Sequence, residues 1–322
     1  KRDWSSDVCS SDLNMARNFL IDILIDPLTG EQLAFDDTTD TLSSPSGNKY
    51  SVIESVPQII VDESHYTAEP TLHKVYGTKF KYRDHYQRDA ELFDYSEKDL
   101  PETTKDELRR LHESIIKEVP KKLSVILDVG CGNGWVSKKL VPAGHKVISM
   151  DISVNNPVNS IKEIPHSNHA GLTADVYYLP FKENSLDCII ASEILEHVPD
   201  PGTFISNLLK ALRNNGKLII TTPYNEKIEY SLCVHCNKPT PRFAHLNSFN
   251  EKNIGQFIPE NGITWHSKTF LNKYLIWLRS LVILKFLPFR FWNFIDRLFN
   301  IFFFNPARLQ IVIKKNATGT LI

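Results

Sequence analysis

The 322-residue chain has few cysteines, almost no net charge and no long apolar run. Only Cys233 and Cys236, of its five cysteines, are closely spaced, which excludes the disulfide framework of a small secreted protein. The net charge of −1 provides no overall attraction to a polyanion, so nucleic acid is not an expected partner. Neither a signal peptide nor an apolar run of about 18 residues is apparent, so we expect a cytoplasmic location.

The N-terminal region divides into two segments of different character. Residues 1–14 are polar and aperiodic and resemble translated sequencing-adapter read-through, so we exclude them from the fold predictions. Residues 15–62 place short β-prone stretches around two turns, which predicts a small β domain. A pattern beginning at Tyr50 resembles that of zinc-ribbon-like domains, yet this segment contains no cysteine. Such a domain would therefore be held by packing rather than by metal.

Residues 63–120 are polar and charged, and they predict helices. Leu108, Leu111 and Ile115 recur at helical spacing, and a proline at position 120 closes the pattern. Aromatic residues such as Tyr82 and Tyr86 lie among the charges of the preceding stretch. This segment is expected to form either a lid over a ligand site or a pair of surface helices.

Residues 121–315 alternate apolar runs of strand length with helical patterns. Such alternation predicts a Rossmann-like, doubly wound α/β sheet with helices on both faces. The predicted strands are residues 125–129, 146–150, 186–191 and 217–221. A predicted helix, residues 202–212, lies between the last two of these strands.

A glycine-rich turn joins the first of these strands to a helix. The order Asp128, Gly130, Gly132, Gly134 gives the pattern Asp-x-Gly-x-Gly-x-Gly. Glycines there allow a sharp turn and a close approach of backbone to a ligand. The dinucleotide fingerprint requires glycine three positions after its second glycine, where this chain has Trp135.

This motif resembles the first motif of class I S-adenosylmethionine-dependent methyltransferases. Two aspartates follow in the order of that superfamily, Asp151 at the end of the second strand and Asp175 before the fourth. The resemblance implies that Asp151 accepts the ribose hydroxyls and that Asp175 lies beside adenine. The full set of expected cofactor-binding residues is Asp128, Gly130, Cys131, Gly132, Gly134, Asp151, Ile152, Asp175, Val176 and Glu193.

The fourth strand leads into Glu193, Glu196 and His197, the expected catalytic residues. If a helical turn begins near Glu193, all three share one face and suit Mg²⁺. The string also resembles the metal site of methyltransferases acting on ubiquinone precursors and on the 2′-hydroxyl of small RNAs. Two alternatives stay open: a loop-capping role without metal, and a general-base role for His197.

A second candidate metal site follows the fifth strand. Cys233, Cys236 and His245 can supply three zinc ligands, with no evident fourth. His245 can instead complete the site at Glu193, Glu196 and His197. The third alternative is a loop with reduced, unligated thiols.

Residues 271–304 form an aromatic-rich insertion with eight phenylalanines and a basic charge excess. Beyond Pro288, Asn293, Asp296 and Asn300 lie on one polar stripe of an otherwise apolar helix. These properties favour peripheral contact with the inner face of a membrane. The alternative is a cap over the acceptor pocket or a dimer interface.

These features together predict an S-adenosylmethionine-dependent methyltransferase. The sequence resembles the ubiquinone-precursor O-methyltransferase group and the generic type 11 and type 23 methyltransferase domains, with a cysteine-less ribbon-like N-terminal domain. We expect O-methylation of a small, lipid-linked or glycan-type acceptor, with Zn²⁺ or Mg²⁺ as candidate ions. The alternatives are an RNA methyltransferase and a non-catalytic partner protein that binds the cofactor.

Overall fold

The computed structural model describes residues 19–65, 81–93, 99–278 and 284–317. The segment 1–14 lies outside the described residues, as do parts of the 63–120 region and residues 279–283 of the aromatic insertion.

An eleven-stranded mixed sheet forms the centre of the fold, in the order β1-β2-β3-β4-β7-β6-β5-β8-β9-β13-β12. Its middle strands are parallel and almost wholly buried, because helices cover both faces of a parallel sheet. A separate hairpin is formed by β10 and β11. The strands are β1 Ala34–Asp36, β2 Thr41–Ser43, β3 Lys49–Ile53, β4 Val56–Ile59, β5 Val125–Val129, β6 Lys146–Asp151, β7 His169–Ala174, β8 Leu186–Ser192, β9 Leu212–Pro223, β10 Tyr230–Leu232, β11 Pro239–Pro241, β12 Ile263–Asn272 and β13 Pro306–Lys315.

Seven α-helices are described in full, and their ends follow local chemistry. Asp200 caps the fifth by accepting a hydrogen bond from the Thr203 N–H, with Pro201 at its first position. The helices are α1 Tyr82–Leu92, α2 Glu102–Ile116, α3 Trp135–Leu140, α4 Asn155–Glu163, α5 Pro201–Ala211, α6 Lys273–Trp277 and α7 Phe289–Phe302. Short 3₁₀ turns occur at Glu63–His65, Val176–Tyr178, Leu195–His197, Arg242–Ala244 and Ile254–Phe257.

The strand order reverses at β5, which has β6 on one side and β8 on the other. Ligands of open α/β sheets bind beyond the carboxyl ends of the strands at such a reversal. Strand β13 runs antiparallel between β9 and β12 and so completes the sheet with a hairpin. The predicted Rossmann-like, doubly wound class is confirmed.

The N-terminal strands extend the central sheet instead of standing apart from it. Strand β4 pairs in parallel with β7, where Ile59 lies opposite Ala174. Their buried side chains belong to the same apolar cluster as those of the central strands. Hydrogen bonds join the two turns of this region, for example Asn48 Nδ2 to Asp26 Oδ2 at 2.7 Å. Polar bonds therefore add to packing in the region where a ribbon would use metal.

Helix α7 belongs to the aromatic insertion and packs against β12. The predicted polar stripe is real, but Asp296 and Asn300 point into the protein. Within the described part of the chain, no helix has the length and apolar character needed to cross a bilayer.

Candidate functional site

A cavity of about 1340 Å³ opens at the carboxyl ends of β5 to β8. Its walls come from the glycine turn, the loops after β6, β7 and β8, helix α1 and the loop 240–244. The structure places eight of the ten expected cofactor-binding residues on it: Gly130, Cys131, Gly132, Asp151, Ile152, Asp175, Val176 and Glu193.

The glycine turn takes backbone conformations that L-residues rarely adopt. The φ angles are +70° at Gly130, +46° at Gly132 and +67° at Gly134. The N–H groups of Gly130 and Cys131 both donate to the Met150 carbonyl, which fixes the turn against β6. Gly134 is not on the cavity wall, and its role is to start α3.

The two strand-end aspartates are hydrogen-bonded within their own loops. The Asp151 carboxylate accepts from the Ser153 N–H at 3.0 Å and from Asn156 Nδ2 at 3.0 Å. Asp175 accepts from the Tyr177 N–H at 2.9 Å and from the Tyr82 hydroxyl. These bonds hold both carboxylates at the cavity wall, in the order the resemblance implies.

Asp128 does not line the cavity but lies buried beneath the turn. Burial, together with the nearby charge of Asp151, raises its pKa to about 8. Its Oδ2 has no hydrogen-bond partner within the described parts of the chain. A positive charge bound in the cavity would favour ionisation of this carboxyl.

Glu193 follows β8 in the left-handed region, with φ +56°. Its N–H donates to the Thr221 carbonyl at 2.9 Å, and its carboxylate pairs with Arg308 Nε at 2.7 Å. Burial raises the pKa of Glu193, and the Arg308 charge opposes that shift. A non-glycine residue held in this conformation at a cavity wall is typical of a functional position.

Glu196, His197 and His245 form a cluster in which one ligand atom from each lies within 4.8 Å of the others. His197 Nε2 is 4.0 Å from Glu196 Oε1, and the two imidazole rings are 4.7 Å apart. His245 Nδ1 lies 2.5 Å from Glu226 Oε2. An imidazole that donates its Nδ1 proton to Glu226 keeps its Nε2 lone pair available to a ligand.

The cluster is electrostatically unusual. Burial lowers the pKa of His197 to about 4, with a further contribution from His245, so this imidazole is neutral at pH 7. Burial and the Glu193 charge raise the pKa of Glu196 well above its usual range. Glu196 Oε2 and His197 Nδ1 are buried without a hydrogen-bond partner in the described residues. Buried polar atoms of this kind require an explanation, and a bound proton or ligand would satisfy them.

Two expectations about metal ligands need correction. Glu193 is paired with Arg308, so the three-ligand group contains His245 in its place. The set Cys233, Cys236 and His245 is not brought together in the regions the structure describes, because His245 lies with Glu196 and His197. The two cysteines lie between β10 and β11, where backbone hydrogen bonds from Cys236 and His235 lower the pKa of Cys233.

Helix α1 contributes a wall of the cavity. Tyr82 reaches Asp175 by its hydroxyl, and the Tyr86 ring meets the His197 ring edge-on at 5.8 Å. Gln87 accepts a hydrogen bond from the Val154 N–H at 2.9 Å, which ties the helix to the loop after β6.

Sequence reasoning missed Arg308 and Glu226. Arg308 lies 115 positions beyond Glu193 and becomes its partner only because β13 returns beside β9. Glu226 carries no motif that would identify it. The loop 240–244 was also missed, although it lines the cavity with Phe243 and Ala244 in the left-handed region.

Comparisons with known proteins agree with this architecture. Residues 127–220 match the methyltransferase domain family. A ubiquinone biosynthesis O-methyltransferase of Bartonella bacilliformis is 36% identical over 102 residues, covering 30% of this chain and 40% of that protein. One from Xanthomonas axonopodis pv. citri is 27% identical over 163 residues, covering 48% and 60%. The chain thus spans less than two thirds of the length of either relative.

The solved structures that resemble this chain do so at low sequence identity. A putative S-adenosylmethionine-dependent methyltransferase from Listeria monocytogenes has a TM-score of 0.48 at 13% identity, covering 65% of this chain and 99% of its own. One from Mesorhizobium loti has a TM-score of 0.46 at 16% identity, with 64% and 98% covered. Residues 127–220, which contain the glycine turn, are thus similar to the methyltransferase domain family.

Proposed function

We propose that the chain transfers the methyl group of S-adenosylmethionine to a hydroxyl oxygen of a small, lipid-linked or glycan-type acceptor. The observation that carries the proposal is one continuous cavity with the glycine turn on one wall and His197 on another. A donor and an acceptor bound in one enclosed space can be aligned for direct displacement. The names of the relatives, ubiquinone biosynthesis O-methyltransferases, support oxygen as the accepting atom.

The cofactor half of the cavity supplies binding and orientation. Gly132 leaves its wall free of any side chain, so a methionine moiety can approach the backbone closely. Asp151 and Asp175 present carboxylates to the ribose and adenine ends. The buried Asp128 lies where ionisation on binding would offset the positive charges of the ligand.

The acceptor half supplies a destination for the hydroxyl proton. The acceptor oxygen forms a bond to the methyl carbon as the carbon–sulfur bond breaks, and the hydroxyl proton leaves. Burial raises the pKa of Glu196, so this carboxyl holds a proton more readily than an exposed glutamate does. His197 lines the cavity with a neutral imidazole, which can accept the hydroxyl proton.

The same cluster fits a divalent cation. Two imidazoles and one carboxylate are a ligand set that zinc and related ions take, and Glu196 Oε2 and His197 Nδ1 are buried without partners in the described chain. A cation there would favour the deprotonated form of an acceptor hydroxyl. Glu226 would then hold His245 in the tautomer that ligates through Nε2.

The test measures cofactor binding and methyl transfer separately. Calorimetry should show binding of S-adenosylmethionine but not of NADH. Transfer of a labelled methyl group is then assayed on prenylated catechols, lipid-linked glycans and RNA. Glu196→Gln and His197→Ala should each reduce transfer by about 10² to 10⁴-fold, with cofactor affinity changed little.

Matched controls and outcomes separate the alternatives. Glu54→Gln and His266→Ala change the same residue types at exposed positions and should leave transfer unaffected. Absence of S-adenosylmethionine binding would refute the proposal. Cofactor binding without transfer to any acceptor would support a non-catalytic partner, and transfer to RNA alone would favour the RNA alternative.

A further inference from the structure

The aromatic insertion presents a large apolar surface to solvent. Six of its side chains are between 65 and 79% exposed, and this set is called the aromatic face. On α7, Phe291, Phe294, Ile301 and Phe302 follow one side of the helix. A patch of this kind marks an interaction site. The aromatic face consists of Trp277, Phe286, Phe291, Phe294, Ile301 and Phe302.

Buried polar groups hold the aromatic face outward. Asp296, on the opposite side of α7, accepts hydrogen bonds from the N–H groups of Leu271 at 3.1 Å and Asn272 at 2.7 Å. Asn272 Nδ2 donates to Asn300 Oδ1 at 2.9 Å. Rolling the helix inward would expose these groups and break their bonds, at a cost for each. The outward orientation of the phenylalanines is therefore built into the fold.

Within the described part of the insertion, the exposed charged side chains are all basic. Lys273, Lys285, Arg290 and Arg297 are exposed, whereas the one acid of the segment, Asp296, is fully buried. An apolar surface on a segment with four exposed cations is complementary to anionic lipid, whose phosphates lie above an acyl layer. Contact between two copies through the same face would instead bring these cations together.

We propose that the aromatic face inserts into the boundary between head groups and acyl chains of an anionic membrane. The argument for membrane docking uses only the exposed surface of the insertion and does not depend on the proposed methyl transfer. The chain that follows the aromatic face returns to the central sheet, where the centroids of the Phe304 and Tyr224 rings lie 5.7 Å apart. A few residues later Arg308 pairs with Glu193 on the cavity wall.

The experiment is cosedimentation of the full chain with phosphatidylcholine vesicles that contain or lack phosphatidylglycerol. Binding should require phosphatidylglycerol and should weaken as salt is raised. The variant Phe291→Ser/Phe294→Ser/Ile301→Ser should bind more than about tenfold more weakly, since three large apolar contacts are lost. The variant Lys285→Gln/Arg290→Gln/Arg297→Gln should lose the preference for phosphatidylglycerol.

The control variant, Ile53→Ser/Leu123→Ser/Val234→Ser, removes exposed apolar side chains elsewhere and should bind as the wild type does. Thermal unfolding of every variant confirms that the fold is retained, without reference to cofactor or activity. Equal loss in the control variant would overturn the assignment of the face. Absence of vesicle binding by the wild-type chain would overturn the proposal. A wild-type dimer that is dissociated only in the Phe291→Ser/Phe294→Ser/Ile301→Ser variant would also overturn it.

Discussion

Two glycines of the same turn should respond very differently to alanine. At Gly130, an added Cβ would lie 2.2 Å from Ile194 Cδ1, whereas at Gly132 it would meet nothing within 4 Å. Both residues have positive φ, so both substitutions carry the conformational cost. Only Gly130→Ala adds a steric collision, and the collision involves the residue after Glu193.

The magnitudes follow from these distances. A residue with a Cβ in the left-handed region costs about 1–2 kcal/mol, which is the whole expected loss of stability for Gly132→Ala. Gly130→Ala adds overpacking against Ile194, on the order of 1–3 kcal/mol, for a total of about 2–5 kcal/mol. For cofactor affinity, in contrast, we expect the more direct effect from Gly132→Ala. Gly132 lines the cavity with open space before it, so its new methyl group occupies ligand volume without colliding with protein atoms.

Urea unfolding of the two variants measures the free energies, and calorimetry measures affinity for S-adenosylmethionine. The double variant Gly130→Ala/Ile194→Ala removes the atoms that collide, so the overpacking part should be recovered as a coupling energy. Equal destabilisation by the two single alanines would refute the reasoning. Unchanged cofactor affinity in Gly132→Ala would remove this turn from the ligand site.

Three further predictions concern single groups. Asp151→Ala should weaken S-adenosylmethionine binding by about 1–3 kcal/mol in calorimetry, whereas Ser153→Ala, which removes one partner of Asp151, should have a smaller effect. Asp128 has a folded pKa raised to about 8, so its stabilising contribution is complete below pH 3.8 and is lost as pH rises through 8; Asp128→Asn should remove that decline from urea unfolding curves across this range. Elemental analysis of protein purified without chelator should find about one zinc or related ion per chain if Glu196, His197 and His245 hold it, and metal retained in a His197→Ala/His245→Ala variant would exclude these ligands.

The central fold could be predicted because its signals are local. Apolar runs of strand length, helical spacing and a glycine turn each lie within a few residues, and their order implies a doubly wound sheet. The pairing of β4 with β7 could not be predicted. It joins Ile59 to Ala174 across more than a hundred residues, and the short apolar strand fits an isolated β domain equally well.

The candidate site shows the same division between local and long-range information. Glu193, Glu196 and His197 share one loop, so their proximity to the cofactor turn followed from sheet topology. The partner of His245 depended on where a loop after β9 folds, and spacing favoured the cysteines as much as Glu196. Only the structure places His245 beside Glu196 and hydrogen-bonds it to Glu226.

Helix α7 shows that sequence periodicity identifies the polar and apolar sides of an amphipathic helix but not which side is buried. Its polar stripe and its apolar side are both evident in the sequence, and the usual packing rule would bury the apolar side. Here Asp296 and Asn300 satisfy the backbone and side chain at the end of β12, where unpaired polar groups would be costly. These bonds join α7 to residues 24 to 28 positions earlier in the chain, so no local pattern encodes them. Because the buried polar groups hold the polar side inward, the apolar side faces outward. This arrangement is expected of a surface that contacts a lipid layer rather than the protein core.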